Sequence, residues 1–259
     1  MTPSTFDLTG RVALVTGAGA ADGIGFSTAA LLAELGATVA VTSTSARIES
    51  RVEDLAAGGV RASGHVADLT DEDDVRRVIT EVVDRHGALD IVVNNAGMVS
   101  VGTPAESGGV DGMSLATWRE GIARNLDTAF LVSREALPHV RVSGAGRIVN
   151  VASVTGPVMA MAGEAAYAAA KAGMVGLTRS LALDEAARGV TVNAVAPGWI
   201  ATGSQTAHEV EQGHRVPVGR SASPAEVAHA IGWLCTPGAA YITGQVIVVD
   251  GGNSVAEER

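Results

Sequence analysis

Short apolar runs alternate with longer amphipathic stretches along the whole chain. Apolar, β-branched runs of this length predict buried strands, whereas apolar positions that recur at helical spacing predict helices. Asp71 and Pro224 are typical first residues of helices. The pattern predicts strands at 12–16, 38–42, 60–66, 91–93, 147–151, 190–196 and 245–249, and helices near 24–35, 46–56, 71–86, 114–137, 164–187 and 224–235.

Seven strands interleaved with six helices predict an α/β fold in which one doubly wound, mainly parallel sheet is flanked by helices. A length of 259 residues suits one such domain, so 1–259 is interpreted as a single domain. Two stretches, 98–113 and 198–223, interrupt the pattern. Both follow predicted strands and so belong at the carboxyl edge of the sheet, where ligands bind. We expect both to be substrate loops; a solvated surface loop is the alternative for each.

Composition narrows the function classes. The chain is 47% hydrophobic and 18% charged, which is typical of a globular protein. A formal net charge of -10 argues against a nucleic-acid partner, because phosphate binding needs a basic face. No apolar run approaches the length of a membrane span, so we expect no membrane partner and a cytoplasmic location. The single cysteine, Cys235, rules out an intramolecular disulfide and is interpreted as a core residue.

A glycine-rich turn follows the first predicted strand. Residues 16–25 have the sequence TGAGAADGIG and lead into an Ala/Leu-rich stretch. Glycines in such a turn let the backbone approach a pyrophosphate, which then lies at the positive end of the following helix. We therefore predict a dinucleotide-binding Rossmann fold, with Gly17, Gly23, Ile24 and Gly25 at the cofactor. A plain strand-to-helix turn is the alternative.

The end of the second predicted strand bears on the choice of cofactor. An acidic residue there would bind the adenosine ribose and repel a 2′-phosphate. This chain instead has hydroxyl residues, including Ser43, followed by Arg47. NADP(H) is therefore favoured and NAD(H) remains possible. Asp22, in the glycine turn, would instead favour NAD(H), because its charge would repel a 2′-phosphate. The alternative for Arg47 is a solvated helix residue without a role in binding.

Four residues could form a catalytic group. Tyr167 and Lys171 are four residues apart, which places them on one face of a helix. An ammonium group about 4 Å away could lower the pKa of a tyrosine from ~10 towards neutrality. Ser153 follows a strand and could hydrogen-bond a substrate oxygen beside Tyr167. Asn125 could hold a water in a proton relay. Each residue alone also has an ordinary structural explanation.

Together these residues and their order resemble the short-chain dehydrogenase/reductase superfamily over nearly the whole chain. The turn at 16–25 resembles its TGxxxGxG motif. Residues 94–97 match its NNAG motif, and Ser153, Tyr167 and Lys171 match its active-site Ser and YxxxK. Within the superfamily, residues 241–245 (YITGQ) and 249–252 (VDGG) are typical of bacterial 3-oxoacyl-acyl-carrier-protein reductases and related ketoreductases.

The resemblance implies hydride transfer between a nicotinamide and a carbonyl or secondary alcohol. Tyr167 would be the proton donor in reduction, with Asn125, Ser153 and Lys171 as the other catalytic residues. A small-molecule substrate and a homotetramer are implied as well. The complete set of expected cofactor-binding residues is Gly17, Gly23, Ile24, Gly25, Ser43, Arg47, Asp68, Leu69, Asn95, Ala96, Gly97, Tyr167, Lys171, Pro197, Gly198 and Ile200.

Several alternatives remain open at this point. The chain departs from the family pattern by two extra residues in the glycine turn, one between Ser153 and Tyr167, and a long 98–113 loop. The substrate is therefore open among acyl thioesters, small alcohols, sugars and steroids. A non-catalytic cofactor-sensing protein on the same fold is the rival from another class. A metal site formed by His208, Glu209, Glu211 and His214 is a further alternative. The two histidines do not share a helical face, so we expect a solvated lid there and no metal.

Overall fold

The computed structural model describes residues 4–97 and 109–257. Seven strands form one sheet in the order β3-β2-β1-β4-β5-β6-β7, and every pairing between neighbouring strands is parallel. The strands are β1 (Val12–Val15), β2 (Thr38–Ser43), β3 (Ala62–Val66), β4 (Ile91–Asn94), β5 (Arg147–Val151), β6 (Thr191–Pro197) and β7 (Val246–Val249). The prediction of an α/β, doubly wound fold with seven strands is confirmed.

Helices cover both faces of this sheet. They are α1 (Ile24–Glu34), α2 (Arg47–Ala57), α3 (Glu72–His86), α4 (Leu115–Ile122), α5 (Thr128–Val142), α6 (Ala165–Glu185), α7 (Ala207–His214) and α8 (Pro224–Cys235). One apolar layer packs α1, α2 and α8 on the sheet, and a second packs α3 and α5 on the other face. Central strands such as β1 and β4 are buried on both faces, which explains their continuous apolar sequences.

Local signals set the helix boundaries. The Asp71 side chain accepts hydrogen bonds from the backbone N–H groups of Asp73 and Asp74, which confirms the predicted start of α3. Pro224 begins α8, where a missing N–H costs nothing. Cys235 is 2% exposed in the core, as predicted, and burial raises the pKa of its thiol to about 12. No helix within the described ranges is both long and apolar enough to cross a membrane.

Two sequence predictions were wrong in detail. The helix predicted at 114–137 is two helices, because residues 123–127 form a π turn between α4 and α5. Beyond that turn α5 continues past Pro138 to Val142, held by buried residues on both sides of the proline. The irregular loop predicted at 198–223 contains the helix α7. Thr206 and Glu209 cap that helix reciprocally, and this S/T-x-x-E pattern is the signal the sequence reading overlooked.

Candidate active site

The strand order places the candidate cofactor site between β1 and β4. In the sheet, β2 and β3 follow on one side of this pair, and β5, β6 and β7 follow on the other. At such a change in strand order, a crevice opens at the carboxyl ends of the two central strands. The glycine turn follows β1, and the NNAG residues 94–97 follow β4. Thr16 joins the two turns: its hydroxyl accepts hydrogen bonds from the backbone N–H groups of Asn95 (3.0 Å) and Ala96 (2.9 Å).

Close packing in this crevice explains its glycines. A Cβ on Gly17, whose φ is +66°, would lie 2.7 Å from the Cα of Ala96. A Cβ on Gly25 would lie 2.5 Å from Nδ2 of Asn95. That amide donates to the carbonyl oxygens of Thr16 and Gly17, both at 3.0 Å. A larger residue at either glycine would therefore separate the two turns.

The start of α1 suits a pyrophosphate. Gly23, the residue before α1, is extended and has no side chain to cap the helix. The first turn of α1 carries no acidic residue. The N–H groups of that turn thus remain available to an anion, which the helix dipole also favours. These features fit a dinucleotide cofactor. Asn95, Ala96 and Gly97 border the same crevice, as the sequence reading expected.

The expected adenosine side of the site is formed by β2 and α2. Arg47 is the exposed first residue of α2, and a Cβ on Gly19 would lie 2.5 Å from its Nε and 2.7 Å from the Cβ of Ser43. Arg47 and Ser43 therefore lie together against the glycine turn. Asp22 lies elsewhere: its carboxylate contacts Gly203, in the segment after β6. This placement weakens the argument that Asp22 would repel a 2′-phosphate.

Asp68 and Leu69, two further residues expected to bind the cofactor, differ in exposure. Asp68 is exposed, and its Oδ1 accepts hydrogen bonds from the backbone N–H (3.0 Å) and the hydroxyl (2.7 Å) of Thr70. The Leu69 side chain is 6% exposed and belongs to the core layer under α3 and α5. Only the backbone of Leu69 is therefore placed to contact a cofactor.

Ser153 lies just beyond β5, and hydrogen bonds on both sides hold it. The backbone N–H of Ala152 donates to the carbonyl oxygen of Val195, and the N–H of Val154 donates to the carbonyl oxygen of Pro197. Gly156, at φ +105°, packs so tightly on the backbone of α6 that a Cβ would collide with the Ala168 carbonyl. This contact holds the loop after Ser153 against the helix that carries Tyr167.

Tyr167 and Lys171 lie on one face of α6, as their spacing predicted. The Lys171 ammonium is 5.6 Å from the centroid of the Tyr167 ring and donates a 2.8 Å hydrogen bond to the carbonyl of Val151. Its side chain is almost completely buried. Burial lowers the pKa of Lys171 from 10.5 to about 8.

The expectation that Lys171 lowers the pKa of Tyr167 is wrong for the chain by itself. Burial raises the pKa of Tyr167 above its ordinary value, a hydrogen bond with Ser153 opposes this, and the negative charges of Glu164 and Glu209 raise it further. The phenol therefore stays protonated at neutral pH. A neighbouring ammonium group lowers the pKa of a phenol, but loss of water on burial raises it, and burial is the largest effect on Tyr167.

Asn125 lies in the π turn between α4 and α5. It is 1% exposed, and its Nδ2 donates to the carbonyl of Gly121 at 3.2 Å. A Cβ on Gly97 would lie 2.8 Å from Oδ1 of Asn125, so the amide adjoins the NNAG turn. The π turn also contacts α6, where Gly173 allows Leu126 to approach closely. Asn125 is thus held between the β4 turn and α6; π turns of this kind are frequent at functional sites.

A cavity of about 440 Å³ opens beside Ser153 and Tyr167. Its walls come from the loop after β5, the segment after β6, helix α7 and the chain end after β7. Gly198 and Ile200, both expected to bind the cofactor, line the cavity, while Pro197 is buried at the end of β6. The predicted loop 198–223 therefore borders this cavity. Of the other predicted loop, residues 98–108 lie outside the described residues.

Comparison with known proteins identifies the family. Residues 17–254 match the family model described as enoyl-(acyl carrier protein) reductase. The chain is 36% identical to a Burkholderia xenovorans structure described as a short-chain dehydrogenase/reductase, with a TM-score of 0.90 over 97% of this chain and 99% of that one. The chain belongs to the short-chain dehydrogenase/reductase family. It is a nicotinamide-dependent oxidoreductase that acts on CH–OH or carbonyl groups.

Individual relatives differ in the substrates that their names state. The 3-oxoacyl-[acyl-carrier-protein] reductase FabG of Vibrio cholerae is 41% identical over 95% of this chain and 98% of its own. Cis-4-hydroxycyclohexanecarboxylate dehydrogenase of Sinomonas cyclohexanicum is 40% identical over 93% and 96%, respectively. A variant of actinorhodin polyketide ketoreductase, solved with NADPH, is 34% identical, with a TM-score of 0.86 over 95% of this chain and 98% of that one.

Proposed function

We propose that this member of the family is a ketoreductase in which Tyr167 donates a proton to the substrate carbonyl oxygen. The observation that carries the proposal is that Ser153 and Tyr167 line the same cavity, with Ser153 close enough to oppose the rise in the pKa of Tyr167. Two hydroxyl groups at one point can both donate to a single oxygen on which negative charge develops. The raised pKa of Tyr167 keeps its proton in place at neutral pH, as proton donation to a carbonyl oxygen requires.

The remaining catalytic residues support that step. The bound nicotinamide supplies the hydride. Lys171, next to Tyr167 on α6, would hold the nicotinamide ribose through its ammonium group. Asn125 would hold a water that returns protons to the site from solvent. The backbone at Gly198 and Ile200 would border the nicotinamide, as the family resemblance implies.

A 3-oxoacyl thioester is the first substrate class to test, because the Vibrio cholerae relative is named for it. A dehydrogenase of a small alcohol, sugar or steroid is the alternative. The experiment measures loss of reduced-nicotinamide absorbance with 3-oxoacyl esters and thioesters, cyclic ketones and enoyl thioesters. We expect turnover of ketones. Tight cofactor binding without any turnover would instead indicate a cofactor-sensing protein, and turnover of enoyl thioesters alone would indicate a double-bond reductase.

The preferred cofactor in this proposal is NADP(H). Arg47 and Ser43 lie together against the glycine turn, and no described residue forms an ion pair with Arg47. Its guanidinium is thus available to a 2′-phosphate, as required for NADP(H) selectivity. The expected homotetramer, the cytoplasmic location, the single domain over 1–259 and the lid role of 198–223 also stay proposals.

Replacing Arg47 with alanine should weaken NADPH binding by about 1–3 kcal/mol, the worth of a charged hydrogen bond. NADH binding should hardly change. Arg51 provides a matched control one turn along α2, because it pairs with Asp54 at 2.8 Å and stacks over Phe26. Titrating both cofactors against R47A and R51A tests the assignment. An NADPH affinity that is equal in R47A, R51A and the wild type would remove Arg47 from the site.

A further inference from the structure

The cavity beside Tyr167 is poor in positive charge. None of the described residues that line it is a lysine or arginine; the ionisable side chains on its walls, apart from Tyr167 itself, are Glu209 and His208 of α7. Lys171 lies outside this lining and is bound to the carbonyl of Val151.

Glu209 is held in place at the start of α7. Its Oε2 accepts a 2.6 Å hydrogen bond from the backbone N–H of Thr206, and its own N–H donates to the Thr206 hydroxyl at 3.2 Å. This reciprocal cap fixes a carboxylate at the cavity wall. The electrostatic influence of Glu209 reaches the catalytic phenol, because its charge contributes to the raised pKa of Tyr167.

We propose that Glu209 makes this site selective for uncharged ketones over free oxo acids. The inference rests on the proposed ketoreductase function and names its substrate class: 3-oxo esters, thioesters or amides, and neutral cyclic ketones. Met159, Met161 and Trp199 provide apolar wall area for the body of such a molecule. A substrate carboxylate in the same cavity would face Glu209, and no lysine or arginine among the described lining residues would offset that charge. At about 8 Å and an effective dielectric of ~20, that repulsion corresponds to roughly tenfold or more in kcat/KM.

Two ester and acid pairs test the proposal. Ethyl acetoacetate is compared with acetoacetate, and methyl 4-oxocyclohexanecarboxylate with its free acid. We expect the wild type to prefer each ester by roughly tenfold or more in kcat/KM. Glu209→Gln should raise kcat/KM for each acid about tenfold relative to that for the matching ester, so the ester-to-acid ratio should fall about tenfold. Glutamine retains the capping box, so the helix keeps its start.

Glu211 supplies the matched control on the same helix. It is exposed, pairs with Arg215 at 3.2 Å and does not line the cavity. Glu211→Gln should therefore leave the ester-to-acid ratio at its wild-type value. An acid preference in the wild type, or equal ratios in the E209Q and E211Q variants, would overturn the proposal.

A readout independent of turnover is available because the chain has two tyrosines. Tyr241 is fully exposed, so tyrosinate absorbance during a pH titration separates it from Tyr167. The charged groups near Tyr167 are Glu164, Glu209 and Lys171. E209Q should lower the pKa of Tyr167, and E211Q should not. An unchanged pKa in E209Q would contradict the placement of its charge.

These measurements separate the two proposals. Turnover of esters and acids at equal rates would refute the role of Glu209 and leave the ketoreductase function intact. Without turnover of any ketone, the proposed function fails. Thermal-shift binding of the same four compounds to the wild type and E209Q then still decides whether Glu209 excludes carboxylates: equal shifts for ester and acid would refute it.

Discussion

Replacing Tyr167 with phenylalanine should lower kcat for ketone reduction by at least about a hundredfold, the usual loss when a general acid is removed. The substitution keeps the ring on α6 and removes only the hydroxyl that is bonded to Ser153. Cofactor affinity should stay within about threefold of the wild-type value, because the ring still fills the same space. Steady-state kinetics and cofactor titration of the same preparation measure both effects.

The other tyrosine of the chain is the natural control. Tyr241 is fully exposed, and Tyr241→Phe should leave kcat and cofactor affinity at their wild-type values. Retention of more than about a tenth of wild-type activity in Y167F would mean that another group supplies the proton.

Replacing Lys171 with methionine should have two effects of opposite sign. Activity should fall by about a hundredfold or more and cofactor binding should weaken, because the ammonium that would hold the nicotinamide ribose is lost. The folded state, however, should gain stability. A pKa lowered from 10.5 to about 8 means that burying the charge costs about 3 kcal/mol at neutral pH. Methionine fills a similar volume without that cost.

The stability gain of K171M should depend on pH. The unfolded chain keeps the lysine proton up to 10.5, whereas the folded chain releases it at about 8. The unfolded state therefore binds more protons between these values, and the free energy of unfolding of the wild type rises with pH across that window. The advantage of the variant, about 1–3 kcal/mol near pH 7, should shrink towards pH 10.

Denaturant unfolding of both proteins at these two pH values measures the effect. Lys171 also donates to the carbonyl of Val151, and the loss of that bond offsets part of the gain. A K171M variant less stable than the wild type near neutral pH would show that this hydrogen bond outweighs the burial of the charge.

Much of the fold follows from the sequence because strand burial leaves a simple pattern. Central strands buried on both faces are continuous apolar runs, and the structure has all seven strands within two residues of their predicted bounds. The starts of α3 and α8 follow from local capping. The Asp71 side chain accepts hydrogen bonds from free N–H groups of α3, and Pro224 has no N–H group that needs a partner. The π turn at 123–127 has no such local signal, because it depends on packing against α6.

The candidate site was predictable to the same degree. The spacing of Tyr167 and Lys171 places them on one face of any helix, so the structure had little freedom to separate them. The role of α7 was missed. Its polar sequence has no strong apolar face, and the cap between Thr206 and Glu209 is the only local sign of a helix. The sequence therefore predicts that Glu209 is a solvated lid residue, whereas in the structure it lines the cavity.

The electrostatics of the site were the least predictable from sequence. A pKa depends on how much water each group loses, and burial is set by the whole fold. Burial raises the pKa of Tyr167 and lowers that of Lys171. The spacing of the two residues alone does not predict either shift. The protonated phenol that results is the form that can donate a proton to a carbonyl oxygen.

The central claim is that a hydride reaches a carbonyl carbon beside Ser153 and Tyr167 while the phenol protonates the oxygen. Reduced cofactor labelled with deuterium at its transferable position, incubated with the enzyme and ethyl acetoacetate, tests this directly by mass spectrometry of the product. We expect one deuterium on the carbinol carbon of the hydroxy ester, and at least about a hundredfold less labelled product in the same time with Y167F. Recovery of the keto ester unreduced and unlabelled, or deuterium on a carbon other than the carbinol carbon, would contradict this claim.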